Sequence, residues 1–315
     1  MKKPFLFWRR CILILFATVI ALELVLRFVF GFCDAPLYQV DNDYEYIPQP
    51  YQNRYRFLCH YRTNSYGMRS EEPDSTKKIV LGLGDSVIYG GTWMDQDSLA
   101  TTQFSAVPGI QMLNISAGSW GPDNCSAFLR KHGTFNASAM ILVCSSHDAY
   151  DVMTFTPVVG KFKEYPSRQY PSALWEIIDR YLIPLINNKF LGWINPTSVN
   201  RQYVDPDVLV ERKAANRQVV QKGFTFNPGF NALRQIADSC HIPFVIYLHA
   251  EKGELIDGAY NDMGKDIIHW CDTAGVRLIQ GLASEKPDMY HDAIHFNEKG
   301  QKHLANILLK SKISR

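Results

Sequence analysis

From residue 77 onward, short apolar runs alternate with stretches of helical character, and that rhythm restricts the fold more than any other feature. The runs Lys78–Leu83, Gln111–Ile115, Met140–Cys144 and Pro243–Leu248 each suit one buried strand, and Val276–Ile279 makes a short fifth. Helices are expected at Gly229–Cys240, near Asp262–Asp272, and from about Asn297, a good N-cap, to Lys310. Strands alternating with helices pack as a parallel sheet covered on both faces. The expected fold is therefore α/β, a three-layer α/β/α sandwich of flavodoxin-like type, with ligands at the carboxyl ends of its strands.

The first run ends abruptly in Gly84-Asp85-Ser86, which places a serine hydroxyl at such a strand end. Two hundred residues on, Asp292-Ala293-Ile294-His295 precedes the last helix. A serine hydroxyl is a poor nucleophile without a base, and a histidine oriented by a carboxylate is the usual remedy. Three-residue spacing lets one turn hold both Asp292 and His295. The alternative is that Asp292 only caps the helix and His295 only packs. Gln111–Ile115 leads into Ser116-Ala117-Gly118-Ser119-Trp120, and Met140–Cys144 into Ser145-Ser146-His147-Asp148.

These spaced blocks resemble the SGNH/GDSL hydrolase family over about residues 77–312. Gly84-Asp85-Ser86 matches its first block and Asp292-x-x-His295 its last. The resemblance implies Ser86 as nucleophile, His295 as base and Asp292 as its orienting acid. It also implies an oxyanion hole from the Ser86 amide, a second-block amide and a third-block asparagine side chain. For the second donor, Gly118 and Ser119 both fit, with Gly118 preferred for its backbone freedom. The third block departs from the pattern, since His147 stands where asparagine is expected; an imidazole can still offer one N–H. Tyr89 and Trp120 could stack on a sugar ring and His249 could touch substrate, although each could equally be a wall of the fold.

Before residue 77 the chain has a different character. Cys11 to Phe32 is apolar save for Glu23 and Arg27, long enough to cross a bilayer, and four basic residues precede it. The positive-inside rule then holds the amino terminus in the cytoplasm and places the remainder outside. A cleaved signal peptide is the rival reading, but no Ala-x-Ala-like site follows the apolar core. An uncleaved, single-pass signal anchor is expected, with an extracytoplasmic domain in the periplasm or at the cell surface. The net charge of +2 originates in this segment. Five of the 33 basic and one of the 31 acidic residues lie in 1–32, leaving 28 against 30. Without a basic stripe, nucleic acid is excluded as a partner.

Residues 33–76 read as a Tyr-rich lead-in that drapes over the main domain, with a tight turn at Asn64-x-x-Gly67-x-Arg69. With the anchor, this turn looks like a bacterial extracytoplasmic branch of the resembled family. Residues 152–226 break the strand rhythm and read as an insertion carrying one helix over 173–186. Seven cysteines show no CxxC or other metal-ligand spacing, and no metal or organic cofactor is expected. The triad motif points to hydrolysis of O-acyl groups, and the resemblance together with the topology implies acetyl esters on an extracytoplasmic glycan. An O-acetyltransferase using the same triad and a non-catalytic glycan-binding protein are the alternatives.

Overall fold

The computed structural model describes residues 3–186 and 225–311, so 187–224 of the expected insertion lie outside the described residues. Five strands, β5 (Lys78–Gly84), β6 (Ile110–Ser116), β7 (Ala139–Cys144), β8 (Phe244–Leu248) and β9 (Arg277–Gln280), form one parallel sheet in the order β6-β5-β7-β8-β9. Each lies within a residue or two of its expected place; β5, β7 and β8, buried on both faces, read as continuous apolar runs.

Alternate residues of each strand supply two separate cores. Ile79, Leu81 and Leu83 join Leu113, Ile115, Met140, Leu142 and Ile246 on one face. There they pack under the helices α4 (Pro122–His132), α6 (Gly229–Cys240) and α8 (Asp262–Ala274). Val80 joins Met112, Ile141, Val143 and Val245 on the other. That side is covered by α2 (Ser86–Tyr89), α3 (Ala100–Ser105) and α9 (Glu298–Lys310). The result is the three-layer sandwich expected.

The lead-in holds two hairpins that the sequence reading did not anticipate. β1 (Tyr38–Asp41) pairs antiparallel with β2 (Glu45–Pro48), and β3 (Asn53–Arg56) with β4 (Cys59–Arg62). Neither turn carries an Asn-Gly pair; Phe57 and Leu58 both take positive φ (50° and 65°) between β3 and β4. Their aromatic residues Tyr38, Tyr46 and Tyr61 enter the first core, so the segment does drape over the sheet. The expected turn is present: the Asn64 side chain accepts from the amides of Tyr66 and Met68, and Gly67 has φ +79°. Arg69 beyond it is fully buried, donating to the carbonyls of Tyr89, Gly91 and Met94. It thereby fixes the chain that follows α2.

At the amino end, α1 (Lys3–Phe28) contains a 22-residue stretch, Phe7–Phe28, of mean hydropathy 2.4, long and apolar enough to cross a membrane. Glu23 and Arg27 pair at 2.7 Å as their spacing anticipates. Within 152–186, α5 (Ala173–Ile177) runs directly into a π-helical turn, Ile178–Leu182, and residues to 186 continue the helix. All seven cysteines are free thiols, and Cys144 is buried as a small apolar side chain.

Candidate active site

The strand carrying the serine ends on Gly84, whose φ of +154° and tight surroundings admit no side chain. A Cβ there would stand 2.3 Å from the Val143 carbonyl oxygen on the neighbouring strand. The chain then turns sharply into α2, with Asp85 as N-cap accepting from the Val87 amide at 2.8 Å. Ser86 is thus the first helical residue, at the carboxyl end of the central sheet, with 8% of its surface exposed. Gln301 of α9 locks this helix in place: its side chain donates to the Val87 carbonyl at 2.7 Å and accepts from the Ala100 amide at 2.9 Å.

The partner turn lies between β9 and α9. Asp292 Oδ1 accepts from the amides of Ile294 and His295 at 2.9 and 2.7 Å, which folds the turn. Asp292 Oδ2 lies 2.7 Å from His295 Nδ1, and His295 Nε2 lies 2.9 Å from Ser86 Oγ. Burial opposes charge on Asp292, but the bonds from His295 and two amides outweigh it and hold its pKa at about 2. The carboxylate therefore stays ionised and keeps the Nδ1 proton toward itself, leaving Nε2 to accept the serine proton. Trp93 packs edge-on to His295 at 5.0 Å and stacks on His291 at the same distance.

Two further strand ends flank Ser86. Gly84 is in register with Ser116 on β6 and with Val143 on β7, so the loops after all three strands adjoin. After β6, the Gly118 carbonyl accepts from the Tyr46 hydroxyl at 2.7 Å. Because a peptide unit is planar and trans, the Ser119 N–H must point the opposite way from that carbonyl. Ser119 takes φ +58°. Among the described residues, neither the Gly118 nor the Ser119 amide donates to a protein acceptor, so both second-block candidates remain open.

After β7, His147 is 7% exposed and sits among carboxylates. Its Nδ1 is 3.1 Å from Glu251 Oε1, while Nε2 is 3.7 Å from Asp85 Oδ2, beyond hydrogen-bond range. Burial disfavours charge on His147, yet Asp148, Glu251 and Asp85 overcome it and raise its pKa well above the ordinary 6.5. An imidazolium bound through Nδ1 retains an Nε2–H to donate elsewhere. Burial pushes the pKa values of Asp85 and Asp148 upward. Asp85, His147 and Asp148 also offer three ligand atoms within 4.8 Å of one another, the donor set that a divalent ion would use here.

Three expected substrate contacts are placed otherwise. Tyr89 is buried, with its hydroxyl 2.8 Å from those of both Tyr38 and Tyr61. Trp120 is buried and donates Nε1 to the Tyr46 carbonyl at 2.9 Å. Both rings belong to the core under the lead-in and cannot stack on a ligand. His249 is fully buried, Nδ1 3.0 Å from Glu285 and Nε2 2.6 Å from the Ile294 carbonyl. It braces the turn that carries His295 rather than meeting substrate. Sequence reading missed Trp93, Gln301 and Glu285, which are brought to the site by tertiary packing with no local motif to mark them.

No protein-family model and no curated protein matches the chain. Among solved structures it is similar to a member of the lipolytic protein G-D-S-L family from Veillonella parvula DSM 2008. That match has 10% identity and a TM-score of 0.38, covering 74% of this chain and 97% of that one. It is similar to an inhibitor-bound aryl esterase of M. smegmatis at 10% identity and TM-score 0.44, covering 75% and 99%. An acetyl xylan esterase matches at 12% identity and TM-score 0.40, covering 74% and 98%.

Proposed function

We propose that this chain is a serine-dependent carboxylic ester hydrolase of the SGNH/GDSL type. The observation that carries the reading is the unbroken line from Ser86 Oγ through the His295 ring to Asp292, at 2.9 and 2.7 Å. In this reading His295 Nε2 takes the hydroxyl proton as Ser86 Oγ bonds to the ester carbonyl carbon. The negative charge that develops on the carbonyl oxygen meets the Ser86 amide, the Gly118 or Ser119 amide, and His147 Nε2–H. The C–O bond to the leaving alcohol then breaks, and that alcohol takes the proton from His295. Water, deprotonated by the same nitrogen, releases the acid and restores Ser86.

The finer reading is an O-acetyl ester on an extracytoplasmic glycan. Its support is the apolar α1 with basic residues ahead of it, the charge pattern that the positive-inside rule associates with an exported domain, together with the family resemblance. Intact-mass analysis after fluorophosphonate treatment tests the site: one adduct on the wild type and none on Ser86→Ala is expected. An unlabelled, folded wild type would overturn it. With an acetylated glycan, acetate released to water is the expected product, whereas acetate on an acceptor sugar would identify a transferase.

A further inference from the structure

The helical segment 173–186 is built inside out for a water-soluble surface. Its polar side faces the protein. Glu176 is completely buried, 2.7 Å from Arg56, 3.1 Å from Arg180 and accepting the Cys33 amide at 2.6 Å. Asp179 pairs with Lys163 at 3.0 Å and accepts the Tyr170 hydroxyl. Its apolar side faces out: Trp175, Ile178, Leu182 and Leu185, at helical spacing, are 37–52% exposed. Polar side chains turned inward and apolar ones outward are what a helix shows when its surroundings are apolar.

The neighbouring β3–β4 turn shows the same inversion. Its two turn residues, Phe57 and Leu58, are both exposed, and both hold left-handed backbone where glycine or asparagine is favoured. Both features adjoin the end of α1. The Phe57 amide donates to the Phe30 carbonyl at 2.9 Å, and the Phe32 ring packs edge-on to Phe57 and Tyr181. Glu23 of α1 accepts from the amides of Ala173 and Leu174 at 2.8 and 3.0 Å. Glu23 lies five residues before Phe28, about 7.5 Å along the helix axis, so the segment starts level with the inside of the Phe7–Phe28 stretch.

We infer that residues 173–186 and the Phe57-Leu58 turn form a collar that sits in the lipid headgroup and upper acyl region around the exit of α1. The catalytic domain is thereby docked against the bilayer rather than tethered away from it. The occupant is the lipid surface itself, because the collar is continuous with the lipid-facing surface of α1. The inference rests on α1 spanning the membrane, and the test separates the two.

The full chain is reconstituted into phosphatidylethanolamine–phosphatidylglycerol vesicles containing lipids brominated at shallow or deep acyl positions. Fluorescence of the wild type minus that of Trp175→Phe isolates Trp175, and alkaline carbonate extraction reports on the span. The expected result is a carbonate-resistant protein whose Trp175 emission falls about twofold with shallow bromine and less with deep, as for interfacial burial. A resistant protein with unquenched Trp175 overturns the collar and keeps the span. An extractable protein overturns the span and with it the collar that rests on it. Emission shielded from both lipid and aqueous quenchers, with a dimer in solution, would assign the face to a second copy and overturn the lipid docking.

Discussion

A serine hydroxyl reacts when a base stands within hydrogen-bond reach, and Ser86 has His295 at 2.9 Å. Replacing either Ser86 or His295 by alanine should lower kcat toward an aryl acetate about a millionfold, with the thermal midpoint little changed. Retained turnover in both would remove the triad. His147 makes a different prediction. Its raised pKa, sustained by Asp148, Glu251 and Asp85, means the imidazolium stabilises the fold fully below the ordinary value of 6.5. That contribution is lost as pH rises through the raised, folded-state value. His147→Asn removes the cation and leaves the Glu251 carboxylate without its 3.1 Å partner, which should cost up to about 3–5 kcal/mol near neutrality. The 23% side-chain exposure of Glu251 places the loss toward the lower end. Denaturation midpoints measured against pH should show an alkaline decline in the wild type that the variant lacks. His249 acts through position: His249→Gln should lower kcat about a hundredfold with KM held, because the Ile294 carbonyl beside His295 loses its 2.6 Å partner. A change in KM alone would instead return His249 to the substrate side.

Elements differ in how plainly the sequence announces them, and the reason is the range of their interactions. Strands β5, β7 and β8 were legible because burial on both faces leaves nearly unbroken apolar runs, and α6 was legible from its helical pattern. The Gly84-Asp85-Ser86 turn was legible as a motif ending an apolar run, although the 2.3 Å approach that bars a side chain from Gly84 comes from Val143 on the neighbouring strand. Gly84→Ala should therefore cost at least about 1–3 kcal/mol and reduce activity further than stability, since the strain falls on the residue two before Ser86; unchanged urea midpoint and kcat would contradict this. The hairpins of the lead-in were not legible: Phe57-Leu58 lacks the usual turn chemistry, and Asp41-Asn42-Asp43, although rich in turn residues, is flanked by four-residue strands too short to show a clear alternation. Tyr89 and Trp120 misled for a related reason. Near a nucleophile in sequence, an aromatic ring reads as a ligand platform, but only the fold reveals that the lead-in brings Tyr38, Tyr46 and Tyr61 to bind them.

At the scale of the whole molecule, one buried carboxylate joins three parts distant in sequence. Glu176, in the segment after the sheet's third strand, holds the amide of Cys33 just past α1, Arg56 at the end of β3, and Arg180 of its own helix. Its side chain has no exposure, so both its charge and its three partners depend on one another for compensation. Glu176→Ala would strand two arginines, at 7% and 13% exposure, without a counter-charge. Loss of one partner from a buried ionic cluster costs about 3–5 kcal/mol, and here the cost falls on the contact between the end of α1, the β3–β4 hairpin and residues 173–186. The expected outcome is earlier proteolytic cleavage within 152–186 in the full-length protein. The Ser86–His295–Asp292 line is built from β5, α2 and the turn before α9, none of which Glu176 touches. Fluorophosphonate labelling of Ser86 should therefore proceed at the wild-type rate in the same variant. Parallel loss of labelling and protease resistance would show instead that residues 173–186 and the Ser86–His295 turn share one cooperative unit.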